Sequence, residues 1–248
     1  MKNVESWKSS KYSFEKNKWR ASRNPREVGY ASRLVADMVA QYYQKMLPIH
    51  ARGKLLDLGC GKVPLYGAYK GVVDDVTCVD WENSLHKNNH LDVVADLNEL
   101  LPLEAAHFDT VILSDVLEHI REPQQLVGEI FRVLKPGGKL IMNVPYFYWL
   151  HEEPYDYYRY TKHALKYMAE KSGMEVLEIE SLGGLPEILA DLHAKLFIKI
   201  PLLGKYMAIA LQGLSQFVFS TGFGKKFSAS SARKFPFAYG MVAIKPKS

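Results

Sequence analysis

The chain has 248 residues, a formal net charge of +5 and an apolar content of 48%. These values predict an ordinary globular protein with a sizeable core and exclude a disordered chain. The basic residues are spread out instead of forming a dense tract, so we expect no nucleic-acid partner. The two cysteines, Cys60 and Cys78, lie far apart, and this spacing predicts neither a disulfide framework nor a zinc site.

The N-terminal part of the chain predicts a helix and no leader segment. Residues 1–20 alternate polar and aromatic side chains and lack the apolar stretch of a signal peptide. Together with the cysteine usage, this pattern predicts a cytoplasmic protein. Apolar residues then recur at helical spacing from Tyr30 to Leu47, and Pro48 is expected to end that helix. We therefore expect an N-terminal helical cap over residues 1–50.

After this helix the pattern changes to short apolar runs, which are separated by helical or turn-rich segments. The runs cover residues 54–58, 76–80, 93–97, 110–114 and 139–144. Strands that alternate with helices imply crossover connections and a parallel sheet covered on both faces. The predicted fold class is therefore α/β, with a doubly wound sheet.

The second half of the chain continues the alternation of helices and strands. The clearest linking helix is predicted from Pro123 to Leu134, and a KPGG turn is expected to end it. Thr161 is expected to cap a helix that runs from His163 to Lys171. Two late strands are predicted at residues 175–180 and 237–244.

The most informative stretch is LLDLGCGKVPL, at residues 55–65. Asp57 lies at the end of the first predicted strand, and Gly59 and Gly61 follow at the carboxyl edge of the sheet, where open α/β folds bind ligands. Glycine lets a ligand approach the main chain, and a helix that starts near Pro64 would direct free amide groups to the same place. These features favour a nucleotide-like cofactor loop over a merely structural turn.

The residues around this loop support a ribose but not a pyrophosphate. A nicotinamide dinucleotide loop prefers a third glycine at the position that Pro64 occupies here. By contrast, Asp80 ends the second predicted strand, and an acid there can accept hydrogen bonds from both hydroxyls of a ribose. A nicotinamide dinucleotide is therefore the less favoured cofactor.

Five ordered motifs carry a family resemblance: LLDLGCGKVPL, the acid in CVDW, VVADLN, FDTVILSDVLEHI and FRVLKPGGKLIMNVP. Through these motifs, residues 54–145 resemble class I S-adenosylmethionine-dependent methyltransferases of the type 11 kind. The resemblance implies a Rossmann-like sheet of seven strands, mostly parallel with an antiparallel last strand, and S-adenosylmethionine as the cofactor. The late strand at 237–244 would suit the antiparallel position.

The resemblance also implies a set of cofactor-binding residues near the ends of the predicted strands. The set is Asp57, Gly59, Gly61, Asp80, Trp81, Asp96, Leu97 and Ser114. The three residues of the first loop and Ser114 would border the methionyl part, and Asp80 would hold the ribose. Asp96 and Leu97 would meet the adenine, whereas Trp81 would either pack on the adenine face or belong to the core.

The methyl group on the cofactor's sulfonium is an electrophile, and an aliphatic hydroxyl that attacks it must also lose a proton. His119 is the first candidate base, because it follows the fourth strand in SDVLEHI and because histidine titrates near neutrality. A structural role for His119 is the alternative. Asp115 and Glu118 are neighbours that could orient it. No residues show the spacing of metal ligands, so we expect no metal.

The segment HEEPYDYYRYT follows the fifth strand and is dense in hydrogen-bonding and stacking groups. His151 and Tyr158 suit a sugar or an aromatic ring, and Arg159 could hold a phosphate or carboxylate through two hydrogen bonds. We therefore predict these three residues as acceptor contacts. In the alternative, the tyrosines pack on the sheet edge and Arg159 pairs with Asp156 or Glu153.

Residues 182–234 form a long apolar and basic insertion. The run 196–219 is long enough for a membrane span, but Lys199 and Lys205 interrupt it, and a charge near the bilayer centre costs about 2.5 to 3.5 kcal/mol. We therefore expect no spanning helix. The segment 196–234 is expected either to lie on a membrane surface, at its inner face, or to form a lid, a dimer contact or ordinary core.

We treat the chain as one methyltransferase domain with four segments. These are the cap at 1–50, the cofactor-binding core at 51–181, the insertion at 182–234 and the final strand at 235–248.

The predicted function is transfer of a methyl group, most readily to oxygen, on a small-molecule, glycan or lipid-linked acceptor. The HEEPYDYYRYT segment resembles that of methyltransferases from bacterial surface-glycan pathways, which favours the glycan. Methylation of a quinone or another lipophilic aromatic is the alternative within the enzyme class. The rivals from other classes are a catalytically inactive assembly protein that binds S-adenosylmethionine and a nicotinamide dehydrogenase.

Overall fold

The computed structural model describes residues 1–83 and 89–247. Its strands are β1 (Tyr12–Glu15), β2 (Lys18–Ala21), β3 (Lys54–Leu58), β4 (Asp75–Asp80), β5 (Val93–Val94), β6 (Phe108–Ser114), β7 (Leu134–Pro145), β8 (Glu175–Leu182) and β9 (Ala238–Ile244). Its helices are α1 (Arg33–His50), α2 (Tyr66–Tyr69), α3 (Pro123–Val133), α4 (Lys162–Lys171), α5 (Leu185–Phe197), α6 (Gly204–Ser220) and α7 (Gly222–Ser231).

These elements form two compact units. The first consists of Met1–Lys8, Lys45–Glu180 and Tyr239–Ser248, and the second consists of Ser9–Gln44 and Ser181–Ala238. The division of the chain into one domain with four segments stays a prediction.

The large sheet has seven strands in the order β5-β4-β3-β6-β7-β9-β8. β3 pairs in parallel with both β4 and β6, and the β4–β5 and β6–β7 pairs are parallel as well. Lys245, directly after β9, exchanges main-chain hydrogen bonds with Gly137 and Gly138 near the start of β7, so β9 runs antiparallel to β7. Because the strand order reverses between β3 and β6, the carboxyl ends of these two strands form the edge where such sheets bind ligands. The predicted α/β fold class is confirmed.

The central strands are apolar on both faces, as a sheet covered on both sides requires. In β3, Leu56 and Leu58 belong to the main core cluster, while Leu55 on the opposite face is equally inaccessible to solvent. Ile112 of β6 is buried in the same way. Each such side chain contributes about 1.5 to 3 kcal/mol relative to an exposed position, so this rigid sheet fixes where the strand ends lie.

The helix predicted from Tyr30 to Leu47 forms as α1, but its end differs. It continues through Pro48 to His50. Ala51 still donates its N–H to the Leu47 carbonyl at 2.9 Å, so only the hydrogen bond that proline cannot donate is lost. The expectation that Pro48 ends the helix is therefore wrong.

Among the strand boundaries, the end of β5 and the start of β7 differ most from the predictions. β5 covers Val93–Val94 instead of 93–97, because the Asp96 carboxylate accepts the N–H of Asn98 at 2.9 Å and turns the chain. β7 already begins at Leu134, so the KPGG run lies within the strand. A register shift accommodates it, and Gly137 adopts a φ of +80° there.

The second unit also contains the β1–β2 hairpin, which the predicted helical cap over residues 1–50 does not include. Tyr12 pairs with Ala21 in this hairpin. The two turn residues, Lys16 and Asn17, have φ values of +50° and +62°, which is what a two-residue hairpin turn needs.

The helical part of the second unit is tied together by Gln212 of α6. Its side chain accepts the N–H of Leu34 at 3.2 Å and donates to the carbonyl of Ala31 at 2.5 Å. Across the described ranges, no helix is both long enough and apolar enough to cross a bilayer.

Candidate functional site

The loop after β3 is bonded directly to the end of β4. Gly59 donates its N–H to the Val79 carbonyl at 2.8 Å, and Gly61 donates its N–H to Asp80 Oδ2 at 2.8 Å. Asp80 Oδ1 accepts the N–H of Trp81 at 2.8 Å. The first loop and the acid of the second strand therefore lie side by side.

Glycine is required in this loop by conformation and by packing. Gly59 and Gly61 have φ values of +67° and +50°, in the left-handed region. A Cβ on Gly59 would lie 2.5 Å from Cγ2 of Val116, which follows β6. The loop after β3 therefore packs tightly against the loop after β6.

Asp57 is buried beneath this loop and accepts a hydrogen bond from the Tyr69 hydroxyl at 2.8 Å. Burial raises the pKa of the Asp57 carboxyl to about 7, and the nearby Asp80 carboxylate acts in the same direction against the Tyr69 hydrogen bond. A cation beside Asp57 would favour its ionised form.

The helix expected near Pro64 is the short α2, which begins only at Tyr66 and has four residues. It is too short to supply a strong dipole at the loop. Its contribution is instead Tyr69, the partner of Asp57, which the sequence analysis did not single out.

Asp96 and Leu97 lie after β5. Asp96 Oδ1 accepts both the main-chain N–H of Asn98 at 2.9 Å and its side-chain amide at 2.8 Å. Leu97 is buried in the main core cluster. Trp81 packs edge-on against Tyr155, with ring centroids 5.0 Å apart, so it meets the HEEPYDYYRYT segment.

Ser114, at the end of β6, belongs to a chain of polar side chains. Its hydroxyl donates to Asn143 Oδ1 at 2.9 Å, and Asn143 Nδ2 donates to Asp115 Oδ1 at 2.5 Å. Asp115 has a φ of +52°, a conformation that non-glycine residues rarely adopt. Asn143 is buried, and its position as a polar residue in the apolar run LIMNVP could have indicated it.

His119 follows β6 in a single turn of 3-10 helix, Leu117–His119. Its Nδ1 lies 2.8 Å from the carbonyl oxygen of Tyr155. Because a carbonyl can only accept, Nδ1 must carry the hydrogen, and in the neutral ring Nε2 then keeps its lone pair. Nε2 is therefore the nitrogen of His119 that can take up a proton.

The structure brings His151 next to His119, with ring centroids 4.8 Å apart. The Nε2 atoms of both histidines lie 3.9 Å from Oε1 of Glu118, whose side chain is fully buried. Burial and the neighbouring His119 lower the pKa of His151, so its ring favours the neutral form. Glu118 is thus at the centre of the cluster rather than a mere neighbour of His119.

Glu118, His119 and His151 could also hold a metal ion, because their ligand atoms lie within 4.8 Å of one another. The sequence did not indicate this cluster, since His151 comes from a different segment. Imidazole and carboxylate ligands suit several divalent ions.

Arg159 is held within its own segment. Its guanidinium makes two hydrogen bonds to Asp156, at 2.5 and 2.8 Å, and three more to the carbonyls of Tyr148, Trp149 and Tyr158. Each of its N–H donors therefore has an acceptor, which favours the alternative that Arg159 pairs with Asp156.

Asp156 in turn fixes His151. Its Oδ2 accepts the main-chain N–H of His151 at 2.9 Å. Although burial opposes ionisation, the Arg159 hydrogen bonds hold the pKa of Asp156 at about 2, so the carboxylate stays charged. The Tyr158 hydroxyl donates to the Arg121 carbonyl at 3.1 Å, and its ring remains exposed.

The residues at this edge fit S-adenosylmethionine, which carries positive charge on its sulfonium and its ammonium group. The acids near the strand ends are Asp57, Asp80, Asp96, Asp115 and Glu118. Asp80, at the carboxyl end of β4, is the type of residue that accepts hydrogen bonds from ribose hydroxyls.

Comparisons with known proteins find methyltransferases. Residues 56–142 match the family model of the methyltransferase domain. The ubiquinone biosynthesis O-methyltransferase of Coxiella burnetii is 30% identical over 120 residues, which cover 44% of this chain and 50% of that protein. The demethylmenaquinone methyltransferase of Leptospira interrogans is 34% identical over 101 residues, covering 35% and 41%.

Structural comparison extends the likeness beyond the aligned motifs. A structure of an S-adenosylmethionine-dependent methyltransferase from Mesorhizobium loti matches with a TM-score of 0.55 at 14% identity, over 85% of this chain and 99% of that one. The chain spans half or less of the length of the two curated relatives. Residues 56–142 therefore match a methyltransferase domain, and the structural likeness shows a fold shared with a solved methyltransferase.

Proposed function

We propose that this protein transfers a methyl group from S-adenosylmethionine to a hydroxyl oxygen of a small-molecule acceptor, with His119 as the general base. One observation carries the proposal: His119 donates Nδ1–H to the Tyr155 carbonyl, which leaves Nε2 able to accept a proton beside the carboxyl end of β6. The methyltransferase domain of the chain supports the reaction type.

The cofactor side of the proposal assigns roles along the sheet edge. S-adenosylmethionine supplies an electrophilic methyl group when bound. Asp80 binds the ribose, and Asp57, the two glycines of the first loop and Ser114 border the methionyl part. Trp81, Asp96 and Leu97 surround the adenine. Alignment of the reacting atoms contributes most of the rate, up to about 7 to 11 kcal/mol in favourable cases.

The acceptor side is the group of residues around His119. Nε2 takes the hydroxyl proton as the acceptor oxygen attacks, and the buried Glu118 carboxylate stabilises the imidazolium that forms. His151 lies against His119, and Tyr158 presents an exposed ring. We assign His151 and Tyr158 as acceptor contacts, while Arg159 holds their segment through Asp156.

The class of acceptor is proposed from the relatives and from the rim of the site. One relative is named for ubiquinone biosynthesis and another for demethylmenaquinone, and both of these quinones contain a ring. Tyr155, Tyr157 and Tyr158 are exposed on the segment that holds His151. Aromatic side chains suit a flat ring, so a phenolic quinone precursor is favoured over a glycan.

The test uses the purified chain, S-adenosylmethionine labelled in its methyl group, and two acceptor pools, phenolic quinone precursors and sugars. We expect labelled methyl ethers from the phenols. Products from sugars alone would leave methyl transfer intact but refute the aromatic acceptor. Calorimetric binding of the cofactor with no product in either pool would favour an inactive binding protein.

A chelator distinguishes a mechanism with His119 as the base from one that needs a metal ion. If His119 acts as a base, turnover persists in excess EDTA. Loss of turnover in EDTA, restored by one divalent ion, would indicate a metal site instead, for which Glu118, His119 and His151 are the candidate ligands.

A further inference from the structure

The outward face of α6 is apolar, whereas its inward face is small or polar. The buried residues of this helix are Gly204, Ala208, Gln212 and Ser215. The exposed ones include Tyr206, Ile209, Leu214 and Phe217, with Phe217 70% exposed. A helix in a globular protein normally has the opposite arrangement, with apolar side chains toward the core.

The segments beside α6 continue this exposed apolar character. Leu202, in the turn before α6, is 90% exposed, and Leu203 next to it is 63% exposed. On α7, Phe223 and Phe227 are exposed and stack in parallel, with centroids 6.4 Å apart. We call residues 196–235 the apolar-basic surface. Exposed apolar patches of this kind mark binding surfaces.

The charge of the apolar-basic surface has one sign. From residue 192 to residue 248 the sequence contains no aspartate or glutamate. The exposed basic residues of the surface are Lys199, Lys205, Lys225, Lys226, Arg233 and Lys234. The last acids before this stretch, Glu187 and Asp191, are both buried. A partner that complements this surface therefore has both apolar groups and negative charge.

We propose that the apolar-basic surface docks on the surface of an anionic lipid bilayer, with Leu202, Phe217 and Phe223 inserted among the acyl chains and the lysines at the headgroups. Helices with bulky apolar residues on one side and lysines beside them bind membranes in this way. The proposal does not depend on the reaction or the acceptor.

A second copy of the chain fits this surface less well. In a two-fold symmetric dimer the same patch meets itself, so the basic residues of one copy would face those of the other. Repulsion between like charges would oppose such a contact.

The experiment measures flotation of the full chain with vesicles of phosphatidylcholine alone and with about 30% phosphatidylglycerol, at about 0.1 M salt. We expect binding to the anionic vesicles and weak binding to the neutral ones. The double variant Lys225→Glu/Lys226→Glu should lower the affinity for anionic vesicles at least about tenfold. Phe217→Ser/Phe223→Ser should lower it by a similar factor.

Matched controls come from the first unit. Leu100 is 74% exposed and Lys166 is also exposed, so Leu100→Ser and Lys166→Glu should leave vesicle binding unchanged. Thermal unfolding checks that every variant is folded. Equal binding to both vesicle types, or no binding of the wild type, would overturn the proposal, as would a dimer that Phe217→Ser dissociates without any change in vesicle binding.

Discussion

The sheet edge of the first unit buries acids, whereas helix α6 of the second unit buries a neutral amide and exposes bulky apolar side chains. At the sheet edge, acids such as Asp57 and Asp80 are drawn inward and held by hydrogen bonds to the loop and to Tyr69. On α6, polar Gln212 is buried, while Phe217 faces solvent. The comparison teaches that the two regions suit different partners. Buried acids suit a cationic cofactor, and exposed apolar groups suit the lipid surface that we propose.

The largest expected effect concerns the acid-rich edge. Replacing His119 with alanine removes the proposed base, so kcat should fall by about 10²- to 10⁴-fold. The affinity for S-adenosylmethionine should change little, because the proposal places His119 on the acceptor side. Turnover assays and calorimetry check the two quantities separately.

The control for that experiment is His163→Ala on α4, since His163 is exposed. It should leave both quantities unchanged. Equal losses of turnover in the two variants would remove His119 from the mechanism.

The next effect concerns protonation of Asp57. Its pKa is about 7 in the folded protein and 3.8 for an ordinary aspartate, so between these values the folded state holds a proton that the unfolded chain releases. Stability should therefore fall as the pH rises from about 4 to 7, by at most about 4 kcal/mol. Asp57→Asn cannot ionise and should lack this component.

Urea unfolding at pH 5 and pH 8 measures this component. It is obtained from the difference in the free energy of unfolding between the wild type and Asp57→Asn at each pH. Asp74→Asn is the control, because Asp74 is exposed. If the wild type and Asp57→Asn lost the same amount of stability between pH 5 and pH 8, the raised pKa of Asp57 would be contradicted.

A smaller effect is expected for the ribose acid. Asp80→Asn keeps one acceptor oxygen for the loop but loses the charge, so cofactor affinity should fall about 10- to 100-fold, as expected when a charge-assisted hydrogen bond is lost. Titration calorimetry with S-adenosylhomocysteine gives the dissociation constant. An unchanged constant would place the ribose elsewhere.

The smallest effect belongs to the apolar-basic surface. Phe217→Ser should change the free energy of unfolding by no more than about 0.5 kcal/mol, because the ring is exposed. The matched core variant, Leu113→Ala in β6, should cost about 2 to 5 kcal/mol. Chemical denaturation measures both, and a large loss in Phe217→Ser would show that the ring packs as core.

The sheet and the first half of the site could be predicted from sequence because strand periodicity fixes them. Once β3 and β4 are parallel neighbours, Gly61 and Asp80 must lie at one edge, and the structure joins them at 2.8 Å. The early start of β7 could not be predicted from the sequence, because the proline and the two glycines in KPGG are typical of a turn and not of a strand.

The second half of the site depends on contacts between distant segments. Nothing in the spacing of His119 and His151 indicates that their rings touch, and the central position of Glu118 follows only from that contact. The outward apolar face of α6 could not be predicted either, because the sequence of an apolar run does not indicate whether its side chains face the core or the solvent. For Arg159, both pairing and acceptor binding were compatible with the sequence.

The fully occupied guanidinium of Arg159 has a consequence for which compounds can enter. A phosphorylated or carboxylated compound would have to separate Arg159 from Asp156 before the arginine could hold it, and that separation would also loosen the main chain of His151. Uncharged compounds meet no such barrier. An uncharged acceptor would thus leave the segment that positions His151 undisturbed.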